Sequence, residues 1–280
     1  MSRTTWLGIL GIVCLGITGS CQLFDRPEAV PAYLYIRPFT LTTDAQTEGS
    51  ASSKITDAWV YVNDQPVGTV EIPAKIPVLQ EGNQKITIAP GIMKDGKSVE
   101  RVIYPFYKGF SLNLDLQPGV IDTVNPSTTY ADGLTFHMIN DFELGNDFTG
   151  MSLTGDPQKV FEGMNSGEIL INTVIPDFEA SSSGRVLPGK GTRIFLEMDY
   201  RCDGPFKVYL QSNDFLNAKF VQHYIITVTK KEVWNKIYID LTNAVSGNPA
   251  DTYQLIFKGS LPEGANVASY LFDNVKIVSF

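Results

Sequence analysis

The stretch Phe206-Lys207-Val208-Tyr209-Leu210-Gln211 alternates apolar and polar residues. In an extended strand, successive side chains point to opposite faces. Phe206, Val208 and Leu210 therefore share one side, and Lys207, Tyr209 and Gln211 the other. Just upstream, Arg193, Glu197, Asp199 and Arg201 fall opposite Ile194, Leu196, Met198 and Tyr200 by the same rule. Tyrosine, amide, carboxylate and guanidinium groups on a concave sheet face can hydrogen-bond sugar hydroxyls in pairs. The candidate ligand residues are accordingly Tyr209, Gln211, Glu197, Arg193 and Lys207. The same alternation is equally that of a plain solvated sandwich face. Trp234 could stack on a sugar ring if it faced solvent, but tryptophan is mostly buried on average, and it is read as structural.

Other chemistries are poorly provided for. The two histidines, His137 and His223, both sit in strand-like patterns. There is no Gly-x-Ser-x-Gly elbow, no His-Glu-x-x-His pair and no Walker loop. Gly184 to Gly191 (GRVLPGKG) departs from a phosphate loop because Gly191, not Ser or Thr, follows the lysine. Nothing selects a glycosidase-like pair from the 30 acidic residues. Those 30 acids against 22 Lys and Arg leave a net charge of −8, which repels a nucleic-acid backbone. With 43% hydrophobic residues the chain can build real cores. A non-catalytic binding or structural protein is expected.

The elements that must position these residues are strands. From Ala32 onward the hydrophobic period is two rather than 3.6, most plainly in Phe110 to Leu116, where Phe110, Leu112, Leu114 and Leu116 alternate with polar residues. Turn signals stand at Asn63-Asp64, Glu81-Gly82-Asn83 and Lys94-Asp95-Gly96-Lys97. The polar stretch from Thr42 to Ser53 reads as a mobile loop. The fold class expected is all-β. A small antiparallel sandwich spans 32–120, a linker 121–133 follows, and a second sandwich of eight candidate strands spans 134–280.

Ahead of these, Trp6 to Ile17 is an uncharged run of twelve residues, too short to cross a hydrocarbon core of roughly 30 Å. Residues 1–20 read as a secretory signal and 21–31 as a tether. Thr18-Gly19-Ser20-Cys21 resembles a bacterial lipobox, with Thr18 where leucine is usual. The resemblance implies lipidation of Cys21 and an exported, membrane-anchored protein of the cell envelope. Cys202 would then be the cysteine left over, structural and without a disulfide partner.

Val60 to Gly91 resembles PEGA-type and other Ig-like bacterial surface modules. Gly191 to Ser212, Val233 to Leu241 and Leu271 to Ile277 together resemble jelly-roll carbohydrate-binding modules and their galactose-binding-like relatives. This second resemblance implies a glycan ligand. It also implies a structural calcium ion held by Asp141, Glu143 and Asp273, where first and last strands run side by side. The rival expectation is a structural or assembly lipoprotein whose sheet faces pack on an envelope protein partner.

Overall fold

The computed structural model describes residues 28–189 and 191–280. The signal segment 1–20 and Cys21 lie outside the described residues. The chain is nearly all β and forms β-sandwich sheets, as the alternating pattern requires.

The first half contains β1 (Ala32–Ile36), β2 (Thr40–Leu41), β3 (Asp57–Val62), β4 (Gln65–Glu71), β5 (Ala74–Val78), β6 (Gly82–Met93), β7 (Arg101–Ile103), β8 (Phe110–Leu116), β9 (Ile121–Val124) and β10 (Ser127–Thr128). One sheet has the order β4-β3-β6-β7, with β8 also on β6; the other is β5-β1-β9. Leu34, Ile36, Val60, Val62, Ile86 and Ile88 fill the space between them. The β3–β4 hairpin turns on Asn63 and Asp64, both at positive φ, as a two-residue turn matched to strand twist requires; Asn and Asp tolerate that conformation better than most residues.

The sequence reading needs two corrections in this half. Residues 121–133 are not a free linker, because β9 pairs in parallel with β1 and β10 with β2. The Thr42–Ser53 loop is tied down: Thr43 Oγ1 donates to the Gly49 carbonyl at 2.7 Å, and Ser52 Oγ donates to Asp199 Oδ1 at 2.8 Å.

The second half contains β11 (Thr135–Asn140), β12 (Phe148–Thr149), β13 (Ser152–Thr154), β14 (Ser166–Asn172), β15 (Asp177–Ser182), β16 (Ile194–Cys202), β17 (Phe206–Asp214), β18 (Lys219–Val228), β19 (Lys231–Asp240), β20 (Thr252–Ser260) and β21 (Val267–Ser279). A short helix, Thr242–Gly247, precedes β20. Six strands form one layer, in the order β13-β14-β21-β16-β19 with β11 also on β21. Five form the other, in the order β12-β15-β20-β17-β18. Leu196, Met198 and Tyr200 from the first layer meet Phe206, Val208 and Leu210 from the second. Phe257 stacks on Phe272 across the core at a centroid distance of 4.8 Å. Each such side chain, fully buried, contributes about 1.5–3 kcal/mol.

Strands β16 and β17 are consecutive in sequence but belong to opposite layers. The Asp203-Gly204-Pro205 connection crosses between them, and Gly204 allows the crossing: a Cβ there would lie 2.6 Å from both Pro262 Cγ and Tyr270 Oη. This crossing decides which of the sequence-predicted residues can act together.

Candidate functional site

Each layer of the second sandwich has an outer face, and the two faces meet different fates. On the six-stranded layer the outward residues of β16 are Phe195, Glu197 and Asp199, all buried. The first half of the chain lies over them. Tyr104, Phe106, Tyr107 and Tyr130 pack with Phe195, Tyr238 and Val278 in one hydrophobic cluster. Glu197 accepts from Tyr104 Oη at 2.7 Å and from Tyr130 Oη at 2.9 Å. Burial foremost, then the Glu197 charge, pushes the Tyr104, Tyr107 and Tyr130 hydroxyls well above the ordinary tyrosine value, so they remain donors.

The buried carboxylates have buried cations beside them. Lys236 Nζ lies 3.4 Å from Asp199 and 3.8 Å from Glu197. Lys276 Nζ donates to the Ser50 carbonyl at 2.7 Å and lies 3.4 Å from Tyr130 Oη. Burial pushes the Lys276 ammonium down to about 8, with the Glu197 charge acting the other way. The Lys94–Lys97 turn clips the same assembly. Asp95 N donates to the Tyr238 carbonyl at 2.8 Å, and Asp95 Oδ1 accepts from Asp240 N at 2.9 Å. Gly96, at φ +68°, seats the turn against Ile237.

The five-stranded layer presents the opposite case. Its outward residues are Lys207, Tyr209, Gln211 and Asn213 on β17, with Thr227, Tyr224, Gln222 and Phe220 beside them on β18 and Lys258, Ile256, Gln254 and Thr252 on β20; of these only Asn213 and Ile256 are buried. The three glutamines lie in one row across the strands. Gln222 Nε2 donates to Gln211 Oε1 at 3.1 Å, and Gln211 Nε2 donates to Gln254 Oε1 at 3.0 Å. Gln211 Nε2 also reaches Asn213 Oδ1 at 2.8 Å, and Gln254 Nε2 reaches the Ser182 carbonyl at 3.0 Å. The row is thus held in orientation, with lone pairs and N–H groups to spare.

Beside the row, Tyr209 and Tyr224 meet edge to face at 5.7 Å, and Tyr224 and Phe220 are more than half exposed. Lys258 lies over the Tyr209 ring at 5.5 Å and pairs with Glu179 at 2.7 Å. A groove of about 660 Å³ runs past Tyr209, Lys207, Lys258 and Glu179. Such a face can hydrogen-bond a polyhydroxylated chain through its amides and stack it on its rings.

Of the sequence-predicted ligand residues, Tyr209, Gln211 and Lys207 therefore share one face. Glu197 does not belong with them; it is fully buried under the first half of the chain. Arg193 does not either, because it precedes β16 in the opposite layer. Gln222, Gln254, Tyr224 and Phe220 were missed as site residues. Their signal was present as alternation in Phe220–Thr229 and Thr252–Phe257, but the neighbours of β17 could not be assigned without the sheet order. Trp234 packs on Phe161 at 5.2 Å beneath the Arg201 guanidinium, a structural setting.

The three acids expected to hold calcium are spent separately. Asp141 caps Glu143 N at 3.1 Å, and Glu143 accepts from the backbone of Met164 and Asn165. Asp273 accepts from Ser166 Oγ at 2.6 Å and from Asn274 N at 2.8 Å. Burial raises Asp273 to about 7, against the pull of those hydrogen bonds. Among the described residues no group of three or more His, Cys, Asp or Glu side chains is placed to hold a metal ion, and each acid of the trio has hydrogen-bond partners of its own.

No family model matches the chain, and no curated protein matches it. Solved structures do. The CBM22-1–GH10 modules of a Clostridium thermocellum endo-1,4-beta-D-xylanase complexed with xylohexaose are 17% identical, over 52% of this chain and 28% of that one, with a TM-score of 0.39. This chain thus spans less than a third of that protein's length. A structure described under carbohydrate-binding modules from the beta-sandwich superfamily is 14% identical over 78% of this chain and 83% of that one, TM-score 0.37. The family 11 carbohydrate-binding module from Clostridium thermocellum, in complex with a beta-1,3-1,4-mixed-linked tetrasaccharide, is 11% identical over 52% of this chain and 96% of that one, TM-score 0.39. All three are under 20% identical, and the β-sandwich of this chain is read from its own strand order.

Proposed function

We propose that the outer face of the five-stranded layer binds a glycan chain, and that the protein is a lipid-anchored binding protein of the cell envelope. The observation that carries the glycan reading is the oriented row Gln222–Gln211–Gln254 beside Tyr209 and Tyr224, on a face left open while its counterpart is covered. Side-chain amides donate and accept at once, which matches the paired hydroxyls of a pyranose; tyrosine rings match its C–H face. The face offers rings at more than one position along β17 and β18, which suits an extended ligand more than a single sugar.

The first half of the chain acts as a rigid mount, clamped to the other outer face by the Glu197–tyrosine cluster. The anchor itself rests on the sequence alone, through Cys21.

Calorimetric titration of the full chain with oligosaccharides selected on a glycan array tests the ligand. Tyr209→Ala is expected to weaken binding about tenfold, the scale of one lost stacking contact, without unfolding the protein. A chain that binds no array glycan, yet binds a purified envelope protein through this same face, would overturn the reading in favour of an assembly role. For the anchor, Cys21→Ser is expected to release the protein from membranes; undiminished retention contradicts it.

A further inference from the structure

A cleft of about 370 Å³ lies where the first half of the chain meets the edges of β18 and β19. Four lysines line it, Lys54, Lys97, Lys231 and Lys236, with Asp95 as the lining carboxylate. In a chain of net charge −8 that is a reversal of the general balance.

Two of the four lysines have counter-ions. Lys97 pairs with Glu100 at 3.0 Å, and Lys236 with Asp199 at 3.4 Å. Asp95 accepts from the Asp240 backbone and lies 3.9 Å from Lys97. Lys54 and Lys231 have no carboxylate within ion-pair distance among the described residues. Lys54 is nevertheless held at the cleft, its ammonium donating to Asn235 Oδ1 and its backbone N–H to Tyr238 Oη. Desolvation, then the Lys231 charge, keeps Lys54 below the ordinary lysine value. Two ammonium groups turned on one space, one of them pinned by neutral partners, stand as the unmatched half of an ion pair.

The cleft opens onto the glycan face. Tyr224 and Thr227 line it, and Thr227 also borders the Tyr209 groove. A chain crossing Tyr209 and Tyr224 leads into it.

We propose that Lys54 and Lys231 bind the anionic substituent of an acidic sugar, a carboxylate or a sulfate ester, at the cleft end of that chain. The ligand class is thus an acidic glycan, and the proposal rests on the glycan reading of the open face.

The test uses the full chain and three ligands: an oligogalacturonate, its full methyl ester and a sulfated oligosaccharide. The ester keeps the sugar backbone and removes the charge. An anionic form should bind about tenfold tighter than the ester, the scale of a hydrogen bond to a charged group. That gap should shrink as salt is raised. The pair Lys54→Gln with Lys231→Gln should abolish the gap, while Lys54→Arg with Lys231→Arg should retain it. A gain confined to the sulfated ligand, and lost with the lysines, assigns the anion as a sulfate ester. Equal binding of charged and neutral forms overturns the proposal, as does a gap that survives the glutamine pair. If no oligosaccharide binds, glucuronate and inorganic sulfate are titrated alone. Lysine-dependent binding of either would keep the cleft and sink the open face; no binding would sink both.

Discussion

The two outer faces of the second sandwich start from the same sequence pattern and end as opposites. β16 carries Glu197 and Asp199 between apolar residues, and β17 carries Lys207, Tyr209 and Gln211 in the same way. On β16 the polar side is sealed under Tyr104, Tyr107 and Tyr130, and each charge is answered by a buried hydroxyl or ammonium. On β17 Lys207, Tyr209 and Gln211 keep solvent contact, and the Gln211 amide is partnered by neighbouring side-chain amides rather than by a covering layer. Polar groups sealed in a low-dielectric interior fix geometry, because leaving any of them unmatched is costly. Polar groups left open can change partner at little cost, which is what a ligand needs.

The largest expected effect is therefore on the covered face. Glu197→Ala strands two tyrosine hydroxyls and leaves Lys236 and Lys276 short of a counter-charge. Denaturant unfolding should show a loss of about 3–5 kcal/mol, as for breaking a buried pair. Gln211→Ala on the open face should cost under about 1 kcal/mol of stability. Equal losses would erase the contrast between the faces.

A smaller effect concerns the clip between the halves. Gly96→Ala places a side chain at φ +68° against Ile237, and should destabilise by about 1 kcal/mol in the same unfolding measurement.

The pH dependence sharpens the picture of the sealed layer. Asp273 has a folded pKa raised to about 7 from 3.8, so between those values the folded state holds the extra proton. Stability from this group is present at low pH and falls as pH rises through 7. Lys276, lowered to about 8, gives a rise in stability between there and its ordinary value of 10.5, since the unfolded state then binds more protons. Asp273→Asn should flatten the fall between pH 4 and 7 in thermal melts while leaving the alkaline rise. The smallest effect expected is that of chelation. Because Asp141, Glu143 and Asp273 are separately engaged, EDTA should leave the melting midpoint where it is; a drop that calcium restores would reinstate the metal.

The strands, the sandwich layers and the facing of Lys207, Tyr209 and Gln211 were legible in the sequence, because alternation is a local property of an extended chain. Partnership was not. Alternation in Ile194–Arg201 marks a polar side but carries no sign that another part of the chain covers it. The covering residues lie about 70–150 positions away, in a segment that includes Tyr130, read as linker, and Ser50 and Ser52, read as mobile loop. The crossing at Gly204 was equally silent: a hairpin and a crossing between layers both use Asp-Gly-Pro, and only the packing of Pro262 and Tyr270 against Gly204 decides between them. The glutamine row needed the order β20-β17-β18, a long-range fact absent from any one stretch of residues.

Amide hydrogen exchange on the full chain, with and without a saturating oligosaccharide, tests the central claim most directly. Added protection should concentrate in β17, β18 and β20, and leave the amides of the buried strands β16 and β21 unchanged. Protection confined to β14, β16 or the strands of the first half, with β17 and β18 unaffected, would place the ligand elsewhere and contradict the account.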